Sequence, residues 1–286
     1  MTCITTPYCV FEPPTAKVLA DGLKVIVKSK TKFSIRSQGH MPVPLANGIN
    51  DGVFISMSKF NTNRLVDNDK VVQVGPGQTW ANVYQYVSPY GLGVAGGRFS
   101  PVGVGGLLLG GGINYFGSQA GWSFSTVQNY EIVLANSSIV YANKTSNSDL
   151  FWALRGGGNN FGIVTRFDMQ TIPARRIYGG TTIYPPASCD NLLDAVTAYS
   201  LPGGGSSDRK SAILPNINLD PATNSALCSL VAFYDYDDEE TASNPPAALA
   251  NFSAIPAAVA GNSISVNFAN YTDETNTPAY ASRASR

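Results

Sequence analysis

The 286 residues carry 19 Lys and Arg against 19 Asp and Glu, one histidine and four cysteines, with 44% hydrophobic and 13% charged residues. That balance excludes a disordered chain, and the lack of any basic cluster excludes a nucleic-acid binder that must neutralise several phosphates. No stretch reaches the roughly 18 apolar residues that span a bilayer, and a lone histidine without Cys-x-x-Cys spacing excludes a structural zinc site.

The periodicity of Thr15 to Lys28 predicts a helix with Val18, Leu19, Leu23, Val25 and Ile26 at helical spacing, followed by a short strand at Phe33 to Arg36. A turn-rich segment, Ser37 to Asp51, precedes strands at Val53 to Met57 and Lys70 to Val74, and Thr79 is placed to cap a helix through about Val87. Twelve of the 28 glycines then lie between Gly91 and Gly121, and Arg98 is the only charged side chain between Lys70 and Glu131. Such a stretch predicts a buried segment that something approaches closely along the backbone. Further on we expect strands at Tyr130 to Ala135, Ile139 to Asn143 and Phe161 to Ile172, and a helix from Asp149 to Leu154 capped by Asn147 or Ser148. The composition changes near Pro173, which predicts a first domain over residues 8–176 and a second, partial domain over 177–286 with one helix (Asn191 to Ser200) and two or three strands.

Of the four cysteines, Cys3 and Cys9 are close enough in sequence to pair, while reduced or buried thiols fit equally well. The four Asn-x-Ser/Thr sequons match about the number chance supplies. No secretory signal is visible at the N-terminus.

Three segments can carry chemistry. In Arg36-Ser37-Gln38-Gly39-His40, Gly39 can take positive φ and turn N–H groups toward an anion with the imidazole alongside, although these five residues also fit a surface turn. The run from Ala95 to Gly112 contains Val102-Gly103-Val104-Gly105-Gly106 and Gly110-Gly111-Gly112; it fits neither G-x-G-x-x-G nor a P-loop, but allows main chain to lie directly on a flat ring system. The stretch from Asn147 to Val164 is by itself a helix, a glycine turn and a buried strand.

In this order the three segments resemble the FAD-binding domain of berberine-bridge-enzyme-like oxidoreductases. Their motifs read R-S/G-G-G-H, V-G-P-G, A-G-G-x-x-x-x-V-G-V-G-G-x-x-L-G-G-G and D-L-F-W-A-L-R/K-G-G-G-N-N-F-G-I-V-T. The resemblance implies an α+β fold of the p-cresol methylhydroxylase (PCMH) type, two α+β subdomains followed by an incomplete α+β substrate domain. It implies FAD attached through an 8α-histidyl bond to His40, with Arg36, Ser37 and Gly39 holding the pyrophosphate and Gln38 and Met41 also among the cofactor-binding residues. It places Gly103, Gly105, Gly106 and Gly110 along the flavin and ribityl chain, counts Val102 and Gly111 among the cofactor-binding residues, and sets Gly162, Ile163 and Val164 near the adenine or isoalloxazine side.

The implied activity is hydride removal from a small molecule, a secondary metabolite or a sugar or other alcohol, with O2 as electron acceptor and no metal. Secretion is possible by the same resemblance. Three departures carry expectations: Gln38 replaces a motif glycine and strains the loop if it needs positive φ; Phe99 stands where bicovalent members have cysteine; Leu107 replaces a frequent histidine. Complete members are far longer, so the alternative is a truncated, non-catalytic remnant. No residue matches the family's catalytic base.

Overall fold

The computed structural model describes residues 5–43, 45–220, 225–236, 245–265 and 267–275. Cys3 and residues 237–240 of the acidic cluster lie outside them. In chain order the first half forms β1 (Cys9–Phe11), α1 (Ala16–Lys28), β2 (Phe33–Arg36), β3 (Val53–Ser56), β4 (Asn63–Val66), β5 (Val71–Val74), α2 (Trp80–Val87), β6 (Leu92–Gly93), α3 (Val104–Gly110) and α4 (Gly117–Ala120). It continues through β7 (Val127–Val133), β8 (Ile139–Asn143), α5 (Ser148–Leu154), β9 (Ile163–Gln170) and β10 (Ile172–Pro173). The rest comprises β11 (Ile177–Tyr184), α6 (Cys189–Ser200), β12 (Ser211–Asp220), β13 (Ser225–Asp235), α7 (Ala250–Ser253), β14 (Ser263–Ser265) and α8 (Phe268–Thr275).

The first layer is a parallel sheet in the order β1-β3-β2, crossed by α1. Thr15 Oγ1 accepts from Val18 N at 3.3 Å, a cap that stabilises a helix by about 1 kcal/mol. The apolar stripe of α1, Leu19, Ala20, Leu23 and Ile26, is buried with Ile55 and Met57 of the parallel sheet region and with Val133 and Ile163. A five-stranded antiparallel sheet, β4-β5-β9-β7-β8, forms the second layer. Its inner residues Val72, Val74, Tyr130, Phe167 and Met169 meet the α2 residues Trp80, Val83, Tyr84 and Val87 in the main core. Truncating a fully buried aromatic in such a core costs about 3–5 kcal/mol, so Trp80→Ala is expected to lower the denaturation midpoint severely.

The third layer is the antiparallel sheet β12-β13-β11-β14. One side packs on α6 and α7 through Tyr184, Leu192, Leu230 and Phe252. Phe233 from this sheet, with Phe268 and Tyr271 of α8, joins the main core, where Tyr115 stacks on Phe233 at 5.2 Å between ring centroids. Arg209 clasps the two regions by donating to Ser118 O (2.6 Å) and Gln119 O (3.0 Å).

Several local expectations are corrected. Cys189 and Cys228 form a disulfide, Cα atoms 5.7 Å apart, joining α6 to β13; Cys9 is free and exposed. No local spacing signals that bond, because its partners are 39 residues apart and meet only once the third sheet forms. Replacing both by alanine is expected to cost about 4 kcal/mol by loop-closure entropy, measurable as a lower urea midpoint. The cap residue of α5 is Asn147, yet its side chain makes no cap bond: at φ 48° its Nδ2 donates to Tyr141 O at 2.7 Å instead. The short strands β1, β4, β6 and β10 escape sequence reading because each gains its identity from a partner strand rather than from a local pattern.

Candidate functional site

A cleft of about 600 Å³ opens between the parallel sheet, the start of α3 and the start of β9. Each wall follows from a motif. The first wall is the turn after β2. Gly39 takes φ +72°, a conformation in which any Cβ would lie 2.8 Å from Arg36 Cδ. Gln38 avoids positive φ altogether, so the anticipated strain is absent. Instead its Nε2 donates to Gly77 O, while Ser37 Oγ donates to Pro76 O, and the two bonds pin the turn to the Gly75-Pro76-Gly77 corner. Asn47 Nδ2 donates to both Gly39 O and Met41 O at 2.9 Å. His40 and Met41 are exposed at this wall, and the Arg36 guanidinium sits over the Phe54 ring at 4.4 Å.

The opposite wall is the glycine segment, whose residues Val104–Gly110 form the short helix α3. It is anchored by Trp80 N donating to Val102 O and Val104 N donating to Gln78 O, both at 3.0 Å. Gly103 lies so close to the first wall that a Cβ would come within 2.7 Å of Gln38 Cβ. Gly106 and Gly110, one helical turn apart, have no atom within 4 Å of their Cβ positions and border the cleft. The third motif closes the floor. Gly158 N donates to Leu109 O at 3.0 Å, and Gly162 (φ +149°) feeds β9 so tightly against Val133 O that a Cβ would sit 2.5 Å from it.

The structure thus brings Arg36, Ser37, Gln38, Gly39, His40, Met41, Val102, Gly103, Gly105, Gly106, Gly110, Gly162, Ile163 and Val164 around one cleft. Gly111 is not among its lining residues: it turns the chain at φ 133° with its Cβ position toward Trp122 and Phe124. Sequence reading missed Asn47, Met57, Pro76, Gly158 and Asn159, which also line the cleft. Gly158 and Asn159 lie within the third motif and were legible there. Asn47 lies in a turn-rich segment that no motif covers.

The lining is mostly apolar and nearly free of ionised groups, the character of a cofactor site that fixes a large ligand by a few polar contacts. Farther off, burial pushes the phenols of Tyr84 and Tyr271 well above their ordinary range. Tyr84 Oη donates to Gly97 O at 2.6 Å, and Tyr271 Oη to Ala232 O at 2.8 Å, so both stay protonated and act as structural donors. Among the described residues no group of His, Cys, Asp and Glu is arranged to hold a metal, and no helix is long and apolar enough to cross a membrane.

Comparison with known proteins agrees with this geometry. Residues 7–143 match the family model described as FAD binding domain. FAD-dependent monooxygenase prx3 of Penicillium roqueforti is 44% identical over 256 residues, 89% of this chain and 49% of its own. Among solved structures, 6-hydroxy-D-nicotine oxidase from Arthrobacter nicotinovorans superposes with TM-score 0.79 at 19% identity, over 92% of this chain and 57% of that one. BBE-like 1 of Physcomitrella patens superposes with TM-score 0.74 at 22% identity, over 91% and 55%. Fold and cleft therefore define an FAD-binding protein of PCMH type. The chain carries the FAD-binding domain it shares with fungal FAD-dependent monooxygenases, and its fold is that of the berberine-bridge-enzyme-like structures. It spans about half the length of the curated relatives it matches.

Proposed function

We propose that this chain is an FAD-dependent oxidoreductase acting on a small organic substrate, a secondary metabolite or a sugar or other alcohol, with the flavin attached through His40. The observation that carries this is a cleft in which the lone imidazole stands at one wall and a helix face without side chains, Gly106 and Gly110, at the other. A flat ring system fits against such a face because any side chain there would occupy its space. FAD bound in the cleft supplies hydride acceptance from a substrate carbon and electron transfer to O2.

The chain's own residues have narrower tasks. His40, as neutral imidazole, is the nucleophile for attachment. Gly39 turns backbone N–H groups toward the diphosphate. Ser37 contributes through its own N–H, because its one hydroxyl proton is committed to Pro76 O. Arg36 must leave the Phe54 ring to reach a phosphate, a cation–π contact worth about 0.5–1 kcal/mol when exposed and readily exchanged for an ion pair. Ile163 and Val164, both buried, give the floor an apolar surface.

The test loads the purified chain with FAD and follows peroxide release on a panel of alcohols and sugars. Substrate-dependent peroxide is the expected result. A chain that binds FAD but never releases peroxide supports the non-catalytic alternative, motivated by its half-length match to relatives.

A further inference from the structure

We propose that Asn47 is a positioning residue for His40, and that flavin attachment depends on its carboxamide. The proposal rests on the site reading above. Asn47 Nδ2 donates at 2.9 Å to Gly39 O and at 2.9 Å to Met41 O, the carbonyls on either side of His40. Both N–H donors of one amide nitrogen are thereby used on the two residues flanking the imidazole. Residues 39 to 41 belong to no helix or strand. Their main chain is held by this side chain from one side, and from the other by Ser37 and Gln38 on Pro76 and Gly77. Asn47 also borders the cleft, so its clamp lies on the ligand side of the turn.

Attachment breaks one C–H bond of the flavin 8-methyl group and the imidazole N–H, and forms one C–N bond. The two electrons and two protons released reduce the flavin ring, and O2 then takes them up to give peroxide. Formation of that bond requires the imidazole nitrogen to be held against the methyl carbon, and small misplacements of a reacting group reduce rates steeply. A turn free to swing about Gly39 presents the imidazole in that position only part of the time.

The test compares wild type with Asn47→Ala, Asn47→Ser and Asn47→Asp. Each chain is incubated with FAD and its flavin measured before and after acid precipitation, which separates bound from attached cofactor. For Asn47→Ala the attachment rate is expected to fall roughly ten- to hundredfold while total bound flavin is retained. Asn47→Asp, isosteric but without donors when ionised, is expected to match it, and Asn47→Ser, with one donor, to fall between. If the alanine chain does not fold, the serine and aspartate chains decide. Wild-type attachment rates in the aspartate variant overturn the proposal, as does a parallel loss of total binding and attachment in folded variants. Wild type that binds FAD without attaching it, or binds none, refutes the His40 reading itself and this proposal with it.

Discussion

His40→Ala is expected to abolish acid-stable flavin completely while leaving the fold and non-covalent FAD binding in place. The imidazole is exposed at the cleft wall, and substitutions at such positions shift stability by less than about 0.5 kcal/mol. No second histidine exists in the chain to take over. On the proposed reading the remaining contacts would come from backbone at Gly39, Gly103 and Gly105 and from the apolar floor, and none of these is altered. Spectra before and after acid precipitation check the outcome: flavin lost to the supernatant in the variant, retained in the pellet for wild type. Acid-stable flavin persisting in His40→Ala would place the attachment elsewhere.

The second large effect is expected at Gly106, where stability and binding should move in opposite directions. Gly106 lies inside α3 with open space at its Cβ position. Glycine in a helix interior costs up to about 1 kcal/mol relative to alanine, so Gly106→Ala is expected to raise the melting temperature of the FAD-free chain. Gly106→Phe should also fold, because its ring enters the cleft rather than the core. There it competes with the cofactor, and overfilling a snug site costs about 1–3 kcal/mol, roughly a five- to hundredfold loss of FAD affinity. Gly103→Ala makes the contrast, since its Cβ meets Gln38 Cβ at 2.7 Å and must distort the turn even without ligand. Calorimetric melting of the FAD-free chains, with FAD titration of the same samples, separates the cases. Equal FAD affinity in Gly106→Phe and wild type would mean that this helix face is not the ring's support.

What the sequence revealed follows the range of the interactions involved. The helices α1 and α2 were legible to the residue because Thr15 and Thr79 cap them locally and their apolar stripes have helical spacing. The meeting of the three motifs was legible only through the family resemblance, since it depends on bonds such as Ser37 to Pro76 and Gly158 to Leu109 between segments distant in sequence. The helical form of Val104 to Gly110 was not legible, because glycine's low helix propensity is overridden by the anchoring of Val102 and Val104 on the start of α2. Gln38 illustrates the same limit. A motif glycine suggested positive φ, whereas here the turn takes its positive φ at Gly39 alone and uses the Gln38 amide as a strut to Gly77. Gly111 shows that a glycine within a motif can serve chain geometry beside the cleft rather than the cleft itself.

The clearest test is mass spectrometry of the tryptic peptide Ser37–Lys59, which contains His40, from the native chain. The proposed attachment predicts that this peptide carries the mass of FAD or of its flavin mononucleotide fragment, with fragmentation placing the addition on His40. An unmodified peptide, from a chain that stays colourless after incubation with FAD, would contradict the assignment of the cleft.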